Sequence, residues 1–410
     1  MPAVSYQRRV ISAALTSVIL WGVARPVQAQ QADTISRRTV APGVTYSRFV
    51  RLGGPWIVNV LTVDLRRPDL TLRHARAHDQ LRTRERTSDM ARRPQNPGDV
   101  VLAAVNADFF DLKTGENENN QVIDGEWWKG VKVTESPFGT FHNVHAQFGL
   151  DSANRPLIDR FVFEGSARTA RAKFTLISLN GVVTGPEGTA LFTYRAGANV
   201  PRDTIRPVTE APLRFAARRG DTTVYVRQGP VRTVSGGEIP AQGAVLVGYG
   251  ATAKDIAGVG EGETVYVSLR AAPLPLQTPL AQLAGGWPRI LRDGVNIAAN
   301  SATEEGTIAR NAMARHPRTV VGFSRDSSTL YLVTVDGRST KSVGMTTVEL
   351  ADLLLDIGAW QALNFDGGGS TAMWVQGTVV NSPTDPTGER EVGNALLLVQ
   401  TRPRSPRVKR

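Results

Sequence analysis

The sequence predicts an α+β fold with mixed, mostly antiparallel sheets and few helices. Three observations carry that expectation. First, residues 44 to 268 read as short β-rich runs broken by Gly, Pro and Asn, with strands expected at 56–63, 100–105, 224–226, 244–247 and 264–269. Second, the best helical periodicity lies at 346–357. There Thr346 and Glu349 form a capping box, Leu350, Leu353, Leu354 and Ile357 share one face, and Gly358 supplies the stop. Third, that helix sits among further strands at 319–323, 330–335, 362–365, 373–375, 378–380 and 395–399, several joined by hairpin-length connections at 325–328 and 376–377. A doubly wound α/β chain would alternate strand and helix throughout, so antiparallel pairing is favoured.

The ends of the chain read differently from its body. Arg8 and Arg9 precede an uncharged stretch from 10 to 24, followed by Val27-Gln28-Ala29, the order of a secretory signal peptide over residues 1–29. The apolar stretch is shorter than the roughly 20 residues a spanning helix needs, so an exported protein, periplasmic or secreted, with no stable membrane anchor after signal cleavage is expected. Residues 30–43 are read as a linker, 44–400 as one composite domain with a β-rich part (44–280) and a motif-rich part (281–400), and 401–410 as a basic, Pro-broken disordered tail.

The formal charge of +11 points to acidic partners, although nearly all of it is Arg, as a base-composition bias would also give. The densest Arg stretch, Arg66 to Arg93, is interrupted by Asp69, Asp79, Glu85 and Asp89 and lacks interleaved aromatics. It reads as a solvated face, and no nucleic-acid partner is expected. The absence of cysteine removes disulfides, thiolate metals and a cysteine nucleophile.

The most informative motif is Asn364-Phe365-Asp366-Gly367-Gly368-Gly369-Ser370-Thr371. An apolar strand delivers Asp366 to a mouth, and three glycines can turn backbone N–H groups toward an anion, with Ser370 and Thr371 adding hydroxyls. A flexible turn is the competing reading. No Lys follows, so it is not a Walker A loop, and the dinucleotide glycine pattern is absent. Arg318 opens one strand and Asp336-Gly337-Arg338 closes the next, which could be a phosphate fork or a structural Arg–Asp pair. Asn106 and Asp108 end another strand. Asp108 with Asp111 could hold a hard divalent cation, Ca²⁺ or Mg²⁺, while no cofactor is required. His142 and His145 suggest no third zinc ligand.

Taken in order, Gly285-Gly286-Trp287-Pro288, Arg315-His316-Pro317-Arg318-Thr319, Val335-Asp336-Gly337-Arg338, Gly344-Met345-Thr346, the 364–371 motif and Val392-Gly393-Asn394-Ala395 resemble the phosphodiester glycosidase family. Asn106-Ala107-Asp108-Phe109-Phe110 resembles a further element of it, with Ala107 where the family usually has Gly. The resemblance implies hydrolysis of a sugar-1-phosphodiester, such as one of N-acetylglucosamine, to free sugar and phosphomonoester. It further implies that Arg318, Arg338 and the glycine-loop amides hold the phosphate, that Asp366 and Asp336 are the working carboxylates, and that Asn106 and Asp108 contact the sugar or a cation. Gly286, Asn364, Ser370, Thr371 and Asn394 complete the expected substrate site. The alternative is a non-catalytic exopolysaccharide binding or assembly protein, and a metal-dependent phosphodiesterase lacks the His spacing it would need.

Overall fold

A computed structural model describes residues 32–93, 96–136, 139–142, 145–272, 279–305 and 313–401. The expected signal peptide at 1–29 and all of the basic tail but Thr401 lie outside them. Among the described residues, no helix is long and apolar enough to cross a membrane.

Two antiparallel sheets face each other around the main core. One has eight strands in the order Ala32–Ala41, Val44–Arg51, Trp56–Asp64, Thr329–Val335, Arg318–Phe323, Gln361–Asn364, Arg289–Arg292 and Val295–Asn296. The other has five, ordered Thr378–Val379, Met373–Val375, Val100–Asn106, Asn394–Gln400 and Leu70–Arg76. Leu61, Val63, Val321, Leu330, Leu332 and Phe365 from the first sheet meet Leu72, Val105, Met373, Leu396 and Leu398 from the second. The alternate residues Val58, Val60, Val320, Val333 and Val335 point to the opposite face, where Leu350, Leu353 and Leu354 of the helix Thr347–Asp356 cover them. These central strands are therefore buried on both faces, which is why they read as near-continuous apolar runs. Trp56–Asp64 pairs with Thr329–Val335, so the β-rich and motif-rich parts share one sheet.

The helix begins as expected. Thr346 Oγ1 accepts from Glu349 N (3.1 Å), Glu349 Oε2 accepts from Thr346 N (2.9 Å), and Gly358 stops it with φ of +97°. It is the longest helix among the described residues, so the architecture is mostly β with few helices, and the α+β label overstates the helical share.

A third sheet of twelve strands contains a closed portion. Its strands Lys173–Leu179, Val162–Arg168, Thr264–Ala272, Thr222–Arg227, Val208–Arg219, Ala244–Tyr249 and Gly188–Thr193 run in that order, and a parallel pairing of the last with the first makes a seven-stranded barrel. Phe163, Leu176, Leu213, Leu246, Val265 and Val267 fill it.

The expected linker is instead largely a strand. Ala32–Ala41 pairs antiparallel with Val44–Arg51 through a turn at Gly43, whose φ is +77°. Polar residues suit this position because an edge strand needs only backbone pairing and a few anchors, here Val40 and Ala41, which are buried.

Leu396 is fully buried between the two facing sheets. Leu396→Ala is expected to cost about 2–5 kcal/mol of unfolding free energy, measured by chemical denaturation. A loss below ~1 kcal/mol would contradict this account of the core.

Candidate functional site

The facing sheets bring two strand ends together. Asn106 ends Val100–Asn106, and its side chain is fully engaged: Nδ2 donates to Asp366 O (2.7 Å), while Oδ1 accepts from Thr319 Oγ1 (2.7 Å) and Ala372 N (3.1 Å). Asp366 N donates to Ala107 O (2.8 Å). Asn106 is thus a pin that fixes the Asp366 loop, with its bonds spent on the protein. Ala107 is outside the left-handed region, so the departure from glycine costs no backbone strain.

The same joint aims Asp108. Its N–H donates to Asn394 Oδ1 (3.0 Å), and Asn394 Nδ2 lies 2.6 Å from Nε2 of buried His74. Its carboxylate accepts from Asn119 N (3.1 Å) and Asn119 Nδ2 (2.7 Å). A side chain at Gly285 would collide with that carboxylate. Gly286 and Asn364 close the neighbouring turn. A Cβ on Gly286 would stand 2.8 Å from Asn364 O, and Asn364 Nδ2 donates to Trp287 O (2.7 Å) and Phe365 O (2.8 Å).

Three carboxyl groups form the acidic side. Burial pushes Asp108 and Asp366 each up to about 6, against Asn119, Lys129 and Arg76 at Asp108 and against Ser370, Arg390 and Gly367 at Asp366. Glu118 is pushed up to about 8, by burial first and then by the negative charges of Asp108 and Asp366. Sequence reasoning missed Glu118, although its run Glu116-Asn117-Glu118-Asn119-Asn120 holds three buried asparagines, a sign of a polar interior. Lys129 faces this group, bonded to Asn117 O and 2.9 Å from Glu116 Oε1.

The cationic side differs from expectation. Period-two alternation turns Arg318 away from Thr319, and therefore away from Asn106, onto the helix face. Its Nε donates to Met345 O (2.8 Å), Nη2 donates to Ala314 O (2.7 Å), and burial lowers it to about 10. Arg338 does reach the glycine loop, and a Cβ on Gly368 would stand 2.8 Å from its Nη2. The second guanidinium there is Arg390, also missed. It bonds Ser370 Oγ (3.3 Å) and Asp385 Oδ2 (2.6 Å), and any side chain on Gly369 would collide with it. The loop amides are less available than expected, since Gly367 N donates to Asp366 Oδ1 and Gly368 N to Pro317 O, both at 2.8 Å. The glycines instead leave room for two guanidinium groups.

Asp336 is buried elsewhere. Its Oδ1 accepts from Ser382 N (3.0 Å), burial raises it, and Arg48 is the cation opposing that rise. It anchors the loop from which Arg390 emerges. Thr371 O accepts from Asn381 Nδ2 (3.0 Å), another tie to that loop. Asp111 caps its own turn through Lys113 N (2.8 Å) and Thr114 N (2.7 Å). Among the described residues, no group of three or more His, Asp or Glu side chains is arranged to hold a metal ion.

Trp287 forms an aromatic wall, edge-on to Phe109 (5.8 Å, 81°) and tilted against His145 (5.4 Å, 35°). Burial, then Arg160, lowers His145 to about 4, so it packs as a neutral ring. The His142 side chain lies outside what is described.

The raised carboxyls have a stability consequence. Glu118 has a folded value of about 8 against an ordinary 4.5, and Asp108 and Asp366 about 6 against 3.8, so the stability they allow at low pH is lost as pH rises through those folded values. Glu118→Gln removes its share. The variant should match the parent's melting temperature near pH 4.5 and exceed it at pH 8, and parallel curves in a thermal-unfolding pH series would contradict the placement of Glu118.

Comparison with known proteins finds partial sequence matches and a likeness of fold. An uncharacterized SPbeta prophage-derived protein of Bacillus subtilis is 36% identical over 96 residues, covering 23% of this chain and 15% of its own length. The N-acetylglucosamine-1-phosphodiester alpha-N-acetylglucosaminidase of Bos taurus is 33% identical over 119 residues, covering 27% of this chain and 22% of its own. The match thus spans about a fifth or less of these relatives. The crystal structure of a hypothetical protein from Synechocystis superposes with a TM-score of 0.71 at 20% identity, covering 91% of this chain and 64% of that one, a likeness of fold. The model of the phosphodiester glycosidase family matches residues 215–399, which hold Trp287, Arg338, the glycine loop, Arg390 and Asn394. Over residues 215–399 this chain is thus similar to the phosphodiester glycosidase family.

Proposed function

We propose that this chain hydrolyses a sugar-1-phosphodiester, of the N-acetylglucosamine-1-phosphodiester type, to free sugar and phosphomonoester. The observation that carries the reading is the juxtaposition, across one glycine loop, of Asp366 and its neighbours Asp108 and Glu118 with the guanidinium groups of Arg338 and Arg390. A phosphodiester needs bidentate cationic partners, and an anomeric centre becoming cationic needs carboxylates.

In this mechanism Arg338 and Arg390 hold the phosphate, and Trp287 with Phe109 packs against the sugar. Asp108 and Asp366, ionised above about pH 6, stabilise positive charge at the anomeric carbon and receive the proton of the incoming water. Glu118, protonated up to about pH 8, gives its proton to the departing phosphate oxygen. The anomeric C–O bond breaks with its electron pair on that oxygen, the water oxygen bonds to carbon, and the two proton transfers balance. Export of the chain, supported by the order of charged, apolar and small residues over 1–29, would bring it to phosphorylated glycans outside the cytoplasm.

The test is release of free sugar from a panel of sugar-1-(methyl phosphate) diesters, including N-acetylglucosamine, N-acetylgalactosamine, glucose and galactose. Asp366→Ala should abolish turnover, Arg338→Ala and Arg390→Ala should each lower kcat/KM by about 10²-fold, and Arg318→Lys should act mainly on stability. The kcat/KM profile should rise to about pH 6 and fall above about pH 8, with the alkaline limb missing in Glu118→Gln. Full turnover in Asp366→Ala would overturn the roles, and no turnover on any diester would favour a glycan binding or assembly protein.

A further inference from the structure

The barrel carries an opening of its own, separate from the carboxylates. A cavity of about 800 Å³ is lined by the aromatic rings of Trp127, Tyr194, Phe215 and Tyr225. That volume falls in the roughly 300–1,000 Å³ range of ligand clefts, which favour the mouths of β-barrels. Tyr194 and Phe215 are 40% and 41% exposed, so two large rings stay open to solvent. Their positions are fixed. Phe215 stands edge-on to Tyr225 (6.2 Å, 81°), and Tyr194 Oη donates to Glu126 Oε1 (3.2 Å). Arg195 holds the same carboxylate (Nη2 to Oε2, 2.7 Å) and stacks on Tyr194, 4.6 Å from the ring centroid.

The rim carries both signs of charge: Glu126 and Asp221 stand with Arg218 and Arg270. Charges of both signs in balance give a polyanion no net attraction, and charges of either sign disfavour a lipid chain. A sugar suits both features, since its C–H faces pack on aromatic rings and its paired hydroxyls bond planar carboxylates and guanidinium groups.

We infer that this mouth binds an oligosaccharide segment of the substrate, next to the sugar whose bond is cleaved. The strand Glu126–Val131 links the two places, because Trp127 lines the mouth while Lys129, two residues on, contacts Asn117 and Glu116 beside the catalytic carboxylates. Their Cα atoms are roughly 6–7 Å apart along an extended strand. The assignment of this segment to the substrate rests on the sugar-phosphodiester reading; saccharide binding by the mouth does not.

The experiment is calorimetric titration of the full chain with maltotetraose, cellotetraose and N-acetylchitotetraose. At least one should bind, and Phe215→Ala should weaken it by about tenfold. The same variant should hydrolyse a small sugar-1-(methyl phosphate) as the parent does, but show a raised KM, with kcat unchanged, on a diester bearing the bound tetrasaccharide. Binding lost in Phe215→Ala by a chain that hydrolyses no diester would leave this site standing while the proposed function falls. No binding of any tetrasaccharide, or binding unaffected by both Phe215→Ala and Tyr194→Ala, would overturn the inference.

Discussion

Asn106 is the joint on which the rest of the site depends. One buried side chain ties the end of its own strand to Thr319 of the facing sheet, to Ala372 beyond the glycine loop and to the backbone of Asp366. A buried amide that lost these partners would carry an uncompensated desolvation cost, so the network holds as a unit. With the two strand ends locked, Asp108 and Asp366 leave different sheets and reach one mouth. Asn394 and Asn364 repeat the device around it, each bonding backbone near a functional group, and Asn119 holds the Asp108 carboxylate through its N–H and its amide. The asparagines therefore supply geometry, and the charged groups they position carry the proposed chemistry.

Those charged groups are held at a cost to folding. Burial raises three neighbouring carboxyls, and the mutual repulsion of Glu118 with Asp108 and Asp366 adds to it, an arrangement that a protein selected for stability alone would replace. The compensation is local. Lys129 sits beside Asp108 and Glu118, while Arg390 sits beside Asp366 and is steadied by Asp385, on a loop anchored by Asp336. The buried core of the facing sheets and its helix cover absorb the rest.

The central strands, the capped helix and the Asp366 glycine loop were legible because each depends on local pattern: apolar runs, a capping box, and glycines after a strand. Arg338 was legible for the same reason, as the residue after a strand-closing Asp-Gly. Arg318 misled because strand parity decides which face a side chain takes, and its Thr319 neighbour took the site face. Glu118 and Arg390 lie on loops whose paths depend on partners elsewhere in the chain, Lys129 at Asn117 O, and Asp336 at Ser382 N and Ser88 at Glu389, and no spacing in sequence announces those contacts. The strand at Ala32–Ala41 was hidden by its polar composition, and the barrel by a single parallel closure between Lys173–Leu179 and Gly188–Thr193. The family motifs pointed to the glycine loop and left Glu118 and Arg390, which stand beside it, unnamed.

The central claim is that this site breaks the bond between the anomeric carbon and oxygen and leaves the phosphorus–oxygen bond intact. Turnover in oxygen-18 water, followed by mass spectrometry of both products, tests it directly. Carboxylates at the anomeric carbon and arginines on the phosphate predict one labelled oxygen in the released sugar and none in the phosphomonoester. Label in the phosphomonoester would mean attack at phosphorus and would contradict the roles assigned to Asp366, Asp108 and Glu118.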